Sequence, residues 1–392
     1  MRLRPTAKAG AFLVTGALLV VVGSTAQAGW LFVLAAGVTG PLFASAVLAP
    51  RLRSCRPVRR SPQRASVGES LSTVLAVHNG GRRYLPLVRL EDDFPATDRI
   101  AVLCKGIAAG ATAETKVEAV ANRRGRYESG PMTMWSSWPF GLVRSSKTID
   151  VTSSVVVTPR WVELGAFSAF DLPSGTTAHA RALDRAGSGE EFLGVREYRA
   201  GDDARRVHWR SSARMGRLIV REYEEEGSPR AIIVLAGGDH GTPPDSCFEA
   251  LVSAAASVAL HAMDRRHRVE FVRAADGGFE RVALSARVEL LDWLATATPR
   301  DVALGPLVGR ALEGDVGNGT IVLFTPTEGR AAAGLRDAAA AAVSRGRATA
   351  AVVADASTWD ETASTADDLP TMPCPVHVVR RGEELTACLE RS

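Results

Sequence analysis

Residues 9–50 run for 42 positions without one charged side chain. A helix needs roughly 20 apolar residues to cross a bilayer core of about 30 Å. The run therefore holds two spans, about residues 9–23 and 29–48, with Ser24-Thr-Ala-Gln-Ala28 as the short turn between them. Inside lipid every backbone N–H and C=O has to be paired within the protein, which makes a two-helix hairpin the only sensible form for this run. Trp30 falls where an interfacial aromatic anchor is expected.

The flanks of the hairpin carry the charge. Arg2, Arg4 and Lys8 precede it, Arg51, Arg53, Arg56, Arg59 and Arg60 follow it, and the turn has none. The excess of Lys and Arg on both flanks predicts that both ends, and everything after Arg51, lie in the cytoplasm. A signal peptide cleaved after Ala26-Gln-Ala28 is the rival reading. It leads to the same place, since the second span would still hold the bulk of the chain inside. The basic segment 51–64, with Pro57 and Pro62, reads as a juxtamembrane topology signal, with contact to anionic lipid as a secondary effect.

Outside the first 60 residues the chain has 39 basic and 43 acidic side chains, so the net +4 of the whole belongs to the membrane flanks. The soluble part is mildly acidic and lacks the footprint of a nucleic-acid binder. Cys55, Cys104, Cys247, Cys374 and Cys388 are scattered and odd in number, with no Cys-x-x-Cys pair. That pattern supports neither a zinc ribbon nor a disulfide framework and fits reduced thiols.

Residues 66–159 read as all-β. Strands are expected at 71–78, 85–90, 100–104, 113–120, 124–128, 132–135 and 154–158, with Asn79-Gly80-Gly81 as a turn. Short strands at this spacing suggest an immunoglobulin-like sandwich. From residue 218 onward the pattern alternates. Strands are expected at 231–236, 269–273, 320–324, 349–354 and 376–379, and helices at 246–263, 286–295 and 331–344. Alternation of this kind argues for a parallel, doubly wound sheet with helices on both faces.

Catalytic motifs are scarce. The chain has no Gly-x-x-x-x-Gly-Lys-Ser/Thr loop and no Gly-x-Ser-x-Gly elbow. Gly314-Asp-Val-Gly-Asn-Gly319 precedes its strand and reads as a loop. Asp202 or Asp203, His208, and Ser211 or Ser212 could be assembled into a hydrolytic triad, but no strained nucleophile turn accompanies them. These absences are consistent with a chain that is not an enzyme and holds no cofactor or metal.

The densest pattern lies at residues 187–226. Residues 181–226 hold ten arginines and ten acids. Within them stand Gly194-Val-Arg196-Glu197-Tyr198, Gly201-Asp202-Asp203, Arg206, Trp209, and Ala213-Arg214 followed by Gly216-Arg-Leu. Two roles are open. Arginine forks can pair carboxylates around a tight turn, with an Asp capping a helix over 204–214 and Val207 and Trp209 anchoring it to the sheet. Alternatively, arginines beside Trp and Tyr can form a docking surface.

This pattern resembles the signature of the bacterial family called domain of unknown function 58. The resemblance implies a membrane anchor, a β module and a C-terminal domain like von Willebrand factor A. It also implies work beside AAA+ ATPases of the MoxR type and transglutaminase-like membrane proteins, as an adaptor or scaffold. Family members carry an Asp-Pro-Phe-Gly-Leu turn where this chain has Ser137-Trp-Pro-Phe-Gly-Leu142, so Trp138 replaces the acid. Phe140 is expected to plug the sandwich. Related domains bind a metal through Asp-x-Ser-x-Ser, yet the matching place here is Ala236-Gly-Gly-Asp-His240, and Asp239 alone reads as a loop or helix-cap residue. Asp355-Ala-Ser357 repeats the first step of that motif, but Trp359 ends it.

The expected organisation is then a hairpin with its basic flank at 1–60, a β-sandwich at 61–160, the signature at 161–226 and the α/β domain at 227–392. A ligand-binding module and an unrecognised hydrolase stand as the alternatives to the adaptor.

Overall fold

A computed structural model describes residues 2–93, 99–171, 192–197, 208, 209, 212, 214, 216, 218–223, 229–313 and 319–391. The chain divides into two compact units, Met1–Arg160 and Trp161–Ser392.

The first unit opens with strand β1 (Arg2–Pro5), followed by helices α1 (Ala7–Thr25) and α2 (Gly29–Leu48). At 1.5 Å per residue each helix is roughly 30 Å long, the thickness of a bilayer core. Both are apolar and largely exposed, and they attach the chain to a membrane. Small residues let them pack. Ala9, Gly16 and Gly23 recur every seventh position along α1 and are buried, as are Leu31 and Ala35 on α2. A Cβ on Gly16 would run into Thr39 Cγ2, and one on Gly23 would come within 3.1 Å of Leu31 Cβ. Close backbone approach of this kind is how helices gain contact in lipid, where no hydrophobic force drives them together.

The β module contains β2 (Cys55–Arg60), β3 (Arg64–Ser66), β4 (Ser70–Asn79), β5 (Leu85–Asp92), β6 (Ile100–Ile107) and β7 (Thr112–Val120). It continues with β8 (Gly125–Glu128), β9 (Met132–Ser136), β10 (Val143–Ile149) and β11 (Ser154–Thr158). The sheet β1-β10-β9-β5-β6 and the sheet β2-β4-β7 enclose one core. Cys55, Leu75 and Val77 come from one face, and Val88, Leu90, Val102, Met132 and Met134 from the other. A third sheet, β3-β11-β8, has a small core of its own around Leu71, Val155 and Val157.

Two expectations need correction here. The basic segment 51–64 is part of the sandwich. Leu52 lies in the core, β2 pairs antiparallel with β4, and β3 pairs parallel with β11. Charge conceals the strand: Cys55, Pro57 and Arg59 point inward while Arg56, Val58 and Arg60 point out. Arg59 is buried beside an equally buried Asp92. Its Nε donates to Asp92 Oδ2 at 2.7 Å, its Nη1 to the Val151 carbonyl at 2.8 Å, and its Nη2 to the Gly130 carbonyl at 3.2 Å. The second correction concerns the 137–142 turn. Phe140 is 56% exposed, and Leu142 is the residue that goes inside. Gly141, at φ +74, reverses the chain between them, which a residue with a Cβ seldom does.

The N-terminal strand is also unexpected. β1 pairs antiparallel with β10, and the Thr6 N–H donates to the Leu142 carbonyl at 2.9 Å. Both ends of the hairpin therefore meet the same sandwich.

After a one-turn helix at Ser168–Asp171, the second unit forms a ribbon of β12 (Phe192–Glu197) and β13 (Ile219–Tyr223). Strands β14 (Arg230–Leu235), β15 (Gly241–Thr242) and β16 (Asp245–Ser246) lead into helix α3 (Cys247–Asp264). The chain continues through β17 (Arg268–Ala275), β18 (Gly278–Leu284), α4 (Arg287–Ala295), α5 (Leu304–Leu312), β19 (Gly319–Pro326), α6 (Leu335–Ser344), β20 (Ala348–Ala354), β21 (Val376–Val379) and α7 (Leu385–Glu390).

The main sheet has the order β18-β17-β14-β19-β20-β21, parallel throughout except for β18 at its edge. Alternate residues of β14 serve opposite layers. Ala231, Ile233 and Leu235 pack under α3, whereas Ile232, Val234 and Ala236 join Leu307, Val308, Leu335 and Ala339 of α5 and α6. This is the doubly wound architecture expected from the alternating pattern. Helix α3 is long and apolar enough to cross a bilayer but is mostly buried in this core, so its apolarity is that of a covered helix. The expected helix 331–344 is broken at Gly334 into Arg330–Ala333 and α6.

Two outcomes follow from this packing. Asp92→Asn leaves the Arg59 charge buried without its counter-charge, so it should cost about 3–5 kcal/mol, read as a lowered denaturation midpoint. His377 is stacked on Phe167 at 4.7 Å with its Nε2 2.7 Å from Ser168 Oγ. Burial holds its pKa below the usual imidazole value. The folded state thus takes up this proton less readily than the unfolded chain. Its contribution is full above pH about 6.5 and is lost as the pH falls below that. The Tm should drop on acidification from pH 7 to 5, and His377→Gln should flatten that drop.

Candidate functional site

Open α/β sheets bind ligands at the carboxyl ends of their parallel strands, where the chain leaves for opposite faces. In this sheet that place is between β14 and β19. The segment after β14 is Ala236-Gly237-Gly238-Asp239-His240. Gly237 has φ +131, and a Cβ there would collide with the ring of Pro326 at the end of β19. Its N–H and carbonyl are bridged to Arg300 at 3.1 and 2.9 Å. Close backbone packing fills the position where a metal-binding loop would present side-chain oxygens.

The N-terminus of α3 is equally occupied. The Cys247 N–H donates to the His240 carbonyl at 2.8 Å, the Phe248 N–H to Asp239 Oδ1 at 3.3 Å, and the Glu249 N–H to Ser246 Oγ at 3.4 Å. Asp239 is therefore a helix-cap residue, as expected. Three of the four donors that a helix end leaves over are spent on the protein itself.

The neighbouring acids are also engaged. Asp355 is buried; it accepts from Ser357 Oγ at 2.6 Å and from Arg380 Nε at 3.2 Å. Asp245 accepts from Arg381 Nε at 2.8 Å and from Trp359 Nε1 at 3.0 Å. Asp301 Oδ1 accepts the Arg330 N–H at 2.7 Å. Sequence reading missed the roles of Arg380, Arg381 and Trp359. The available signal was a pair of arginines directly after the last strand, facing the acids of two earlier loops.

Cys247 shows how closed this end is. Burial, helped by Asp239 and Asp355, pushes its thiol up to about 12, so it is no nucleophile at neutral pH. A small cavity beside it, lined by Gly237, Phe248, Arg273, Thr298 and Arg300, has room for about one water. Among the described residues no three His, Cys, Asp or Glu side chains gather as a metal-ligand group.

The signature presents itself differently. Arg196 and Glu197 lie on β12, opposite Val220 and Ile219 of β13, so an antiparallel ribbon closes the loop that carries the rest of the motif. Trp209 is 67% exposed. Its indole is not covered, as anchoring would require; among the described residues of that turn, Ser212 is the buried one. The Ser212 N–H and Oγ both donate to the His208 carbonyl, at 3.0 and 3.1 Å. These are helical-turn bonds to the backbone of His208. Arg214 and Leu218 are exposed. Gly216 sits in a turn at φ +63, a conformation that favours glycine. Tyr198, Gly201, Asp202, Asp203 and Arg206 lie outside the described residues, as do Ser211 and Val207.

With its acids satisfied internally, the strand-end site should give no heat on calorimetric titration with magnesium or calcium and no rise in Tm. A stoichiometric heat would mean that these carboxylates can be released from their partners.

Solved structures offer little guidance. A beta-glucosidase from Listeria innocua is 12% identical over 26% of this chain and 17% of its own length, with a TM-score of 0.15. An alkylpurine DNA glycosylase from Pseudomonas fluorescens is 11% identical, covering 33% of this chain and 39% of its own, at 0.18. A late embryogenesis abundant protein is 7% identical, covering 39% and 90%, at 0.20. The chain thus spans under a fifth of the first and well under half of the second, and likenesses this weak carry no argument. No curated protein matches the sequence. Residues 194–300, from the ribbon through the first half of the α/β sheet, match the family described as protein of unknown function DUF58.

Proposed function

We propose that the protein is a non-enzymatic adaptor, held at the cytoplasmic face of a membrane by its hairpin, that presents the signature to a MoxR-type AAA+ ATPase and works beside a transglutaminase-like membrane protein. The observation that carries this reading is Trp209, the bulkiest side chain of the signature, held 67% exposed on a turn. Exposed Trp with neighbouring Arg is the composition of interface hot spots. The strand-end acids, spent on internal partners, support binding through the surface over catalysis at the sheet.

The finer fold assignments belong to the same proposal. A sheet in the order third-second-first-fourth-fifth-sixth, with only the third strand antiparallel, supports the von Willebrand factor A-like reading. Two facing sheets around one core support the immunoglobulin-like reading of the β module. The cytoplasmic orientation rests on the basic flanks. Arg59 is taken into the sandwich, but Arg2, Arg4, Lys8, Arg51, Arg53, Arg56 and Arg60 remain exposed.

Crosslinked affinity purification of the full chain from its native membranes tests the proposal. An AAA+ ATPase should be recovered with the wild type and lost with Trp209→Ala, a change at an exposed position that leaves the Tm unchanged. Equal recovery with both would move docking away from the signature. Recovery of no AAA+ ATPase at all would overturn the adaptor reading.

A further inference from the structure

The sandwich carries an exposed aromatic at the point where the chain enters the membrane. The β9–β10 turn, residues 137–142, is bonded to the residue that starts α1. The Thr6 N–H donates to the Leu142 carbonyl at 2.9 Å, and Thr6 Oγ1 donates to the Gly141 carbonyl at 2.9 Å. Thr6 precedes a span about as long as the bilayer core is thick, so its level is the interfacial layer. Phe140, two residues from Leu142, is 56% exposed at that level, and Trp138 is partly exposed beside it.

The β4–β5 turn lies at the same end of the sheet. Pairing of Ser136 with Ser145, and of Trp135 with Arg89, fixes the register across β10, β9 and β5. That register brings Leu85 level with the 137–142 turn, so Arg82, Arg83 and Tyr84, all exposed, lead into the sheet from this end. Their turn also abuts the return of the chain from α2: a Cβ on Gly80 would lie 2.9 Å from the Ser54 carbonyl oxygen. One turn therefore flanks the start of the first span and the other flanks the chain beyond the second.

We propose that this end of the sandwich is itself a lipid-binding surface. Phe140 is buried in the interfacial layer, and Arg82, Arg83 and Lys8 contact anionic phospholipid headgroups. The occupant is argued from continuity with the spans and from charge. Aromatic rings are stabilised at the boundary between headgroups and acyl chains, and basic side chains near an anionic surface are drawn to it. The surface makes the sandwich lie against the bilayer and does not depend on which face of the membrane holds it.

The test uses the full chain in lipid nanodiscs, with an environment-sensitive fluorophore on Phe140→Cys or, as the control, on Pro131→Cys in the β8–β9 turn at the opposite end of β9. Pro131 is exposed and the native cysteines are buried except half-buried Cys374, which is changed to Ser in both variants. Shallow lipid-borne quenchers should quench the label at 140 several-fold more than the label at 131. Equal quenching at the two positions would overturn the proposal. Adding phosphatidylglycerol to phosphatidylcholine discs should deepen quenching at 140, and Arg82→Glu with Arg83→Glu should abolish that increment. Each basic residue near such a surface is worth on the order of fivefold in local partition. Quenching indifferent to lipid charge would overturn the headgroup contact.

Discussion

The first unit is organised around a charge that has no access to water. Arg59 enters the sandwich from β2 and pairs with Asp92 at the end of β5, while its remaining N–H groups reach the Val151 and Gly130 carbonyls. Taking both ions out of water is costly, and only good geometry with further hydrogen bonds offsets that cost. The consequence is specificity of register. If β2 slipped by one residue, Arg56, Val58 and Arg60 would turn inward together, and the single carboxylate of Asp92 could serve at most one of the two arginines. The pair thus holds one sheet against the other at a defined offset, and the turns around it inherit that offset.

Much of this was legible in the sequence because periodicity and charge agree there. The hairpin follows from an uncharged run of the right length. The strands of β4 and β6 and the helix α3 follow from apolar patterns that packing respects. Where the two signals conflict, sequence reading fails. β2 carries three arginines in six residues and looks like a topology signal. β1 is four residues long and its partner β10 lies some 140 residues away, so nothing local announces it. The antiparallel edge strand β18 was not anticipated either; Gly278 starts it, and of its residues only Leu284, at the end, is buried.

The candidate site divides along the same line. The absence of an Asp-x-Ser-x-Ser loop after β14 can be read directly, but what fills that place cannot. Gly237 is there because the Pro326 ring leaves no room for a Cβ, and Asp239 is there to hold the first turn of α3. In the signature, composition alone left anchoring and docking equally open for Trp209. Its 67% exposure speaks against an anchoring indole, which would be covered. Gly216 has a plain local cause in its positive φ.

The pairing of β1 with β10 sets an order of events. Among the described strands, β1 is an edge whose partner, β10, is completed only at Ile149. Long-range pairing of this sort pays for loop closure before it gains contacts. By then both spans have long been available for insertion, so the hairpin can enter lipid before the sandwich closes. A hairpin inserted at that stage would hold Pro5 and Leu52 near one another before the strands between them and β10 exist as a sheet.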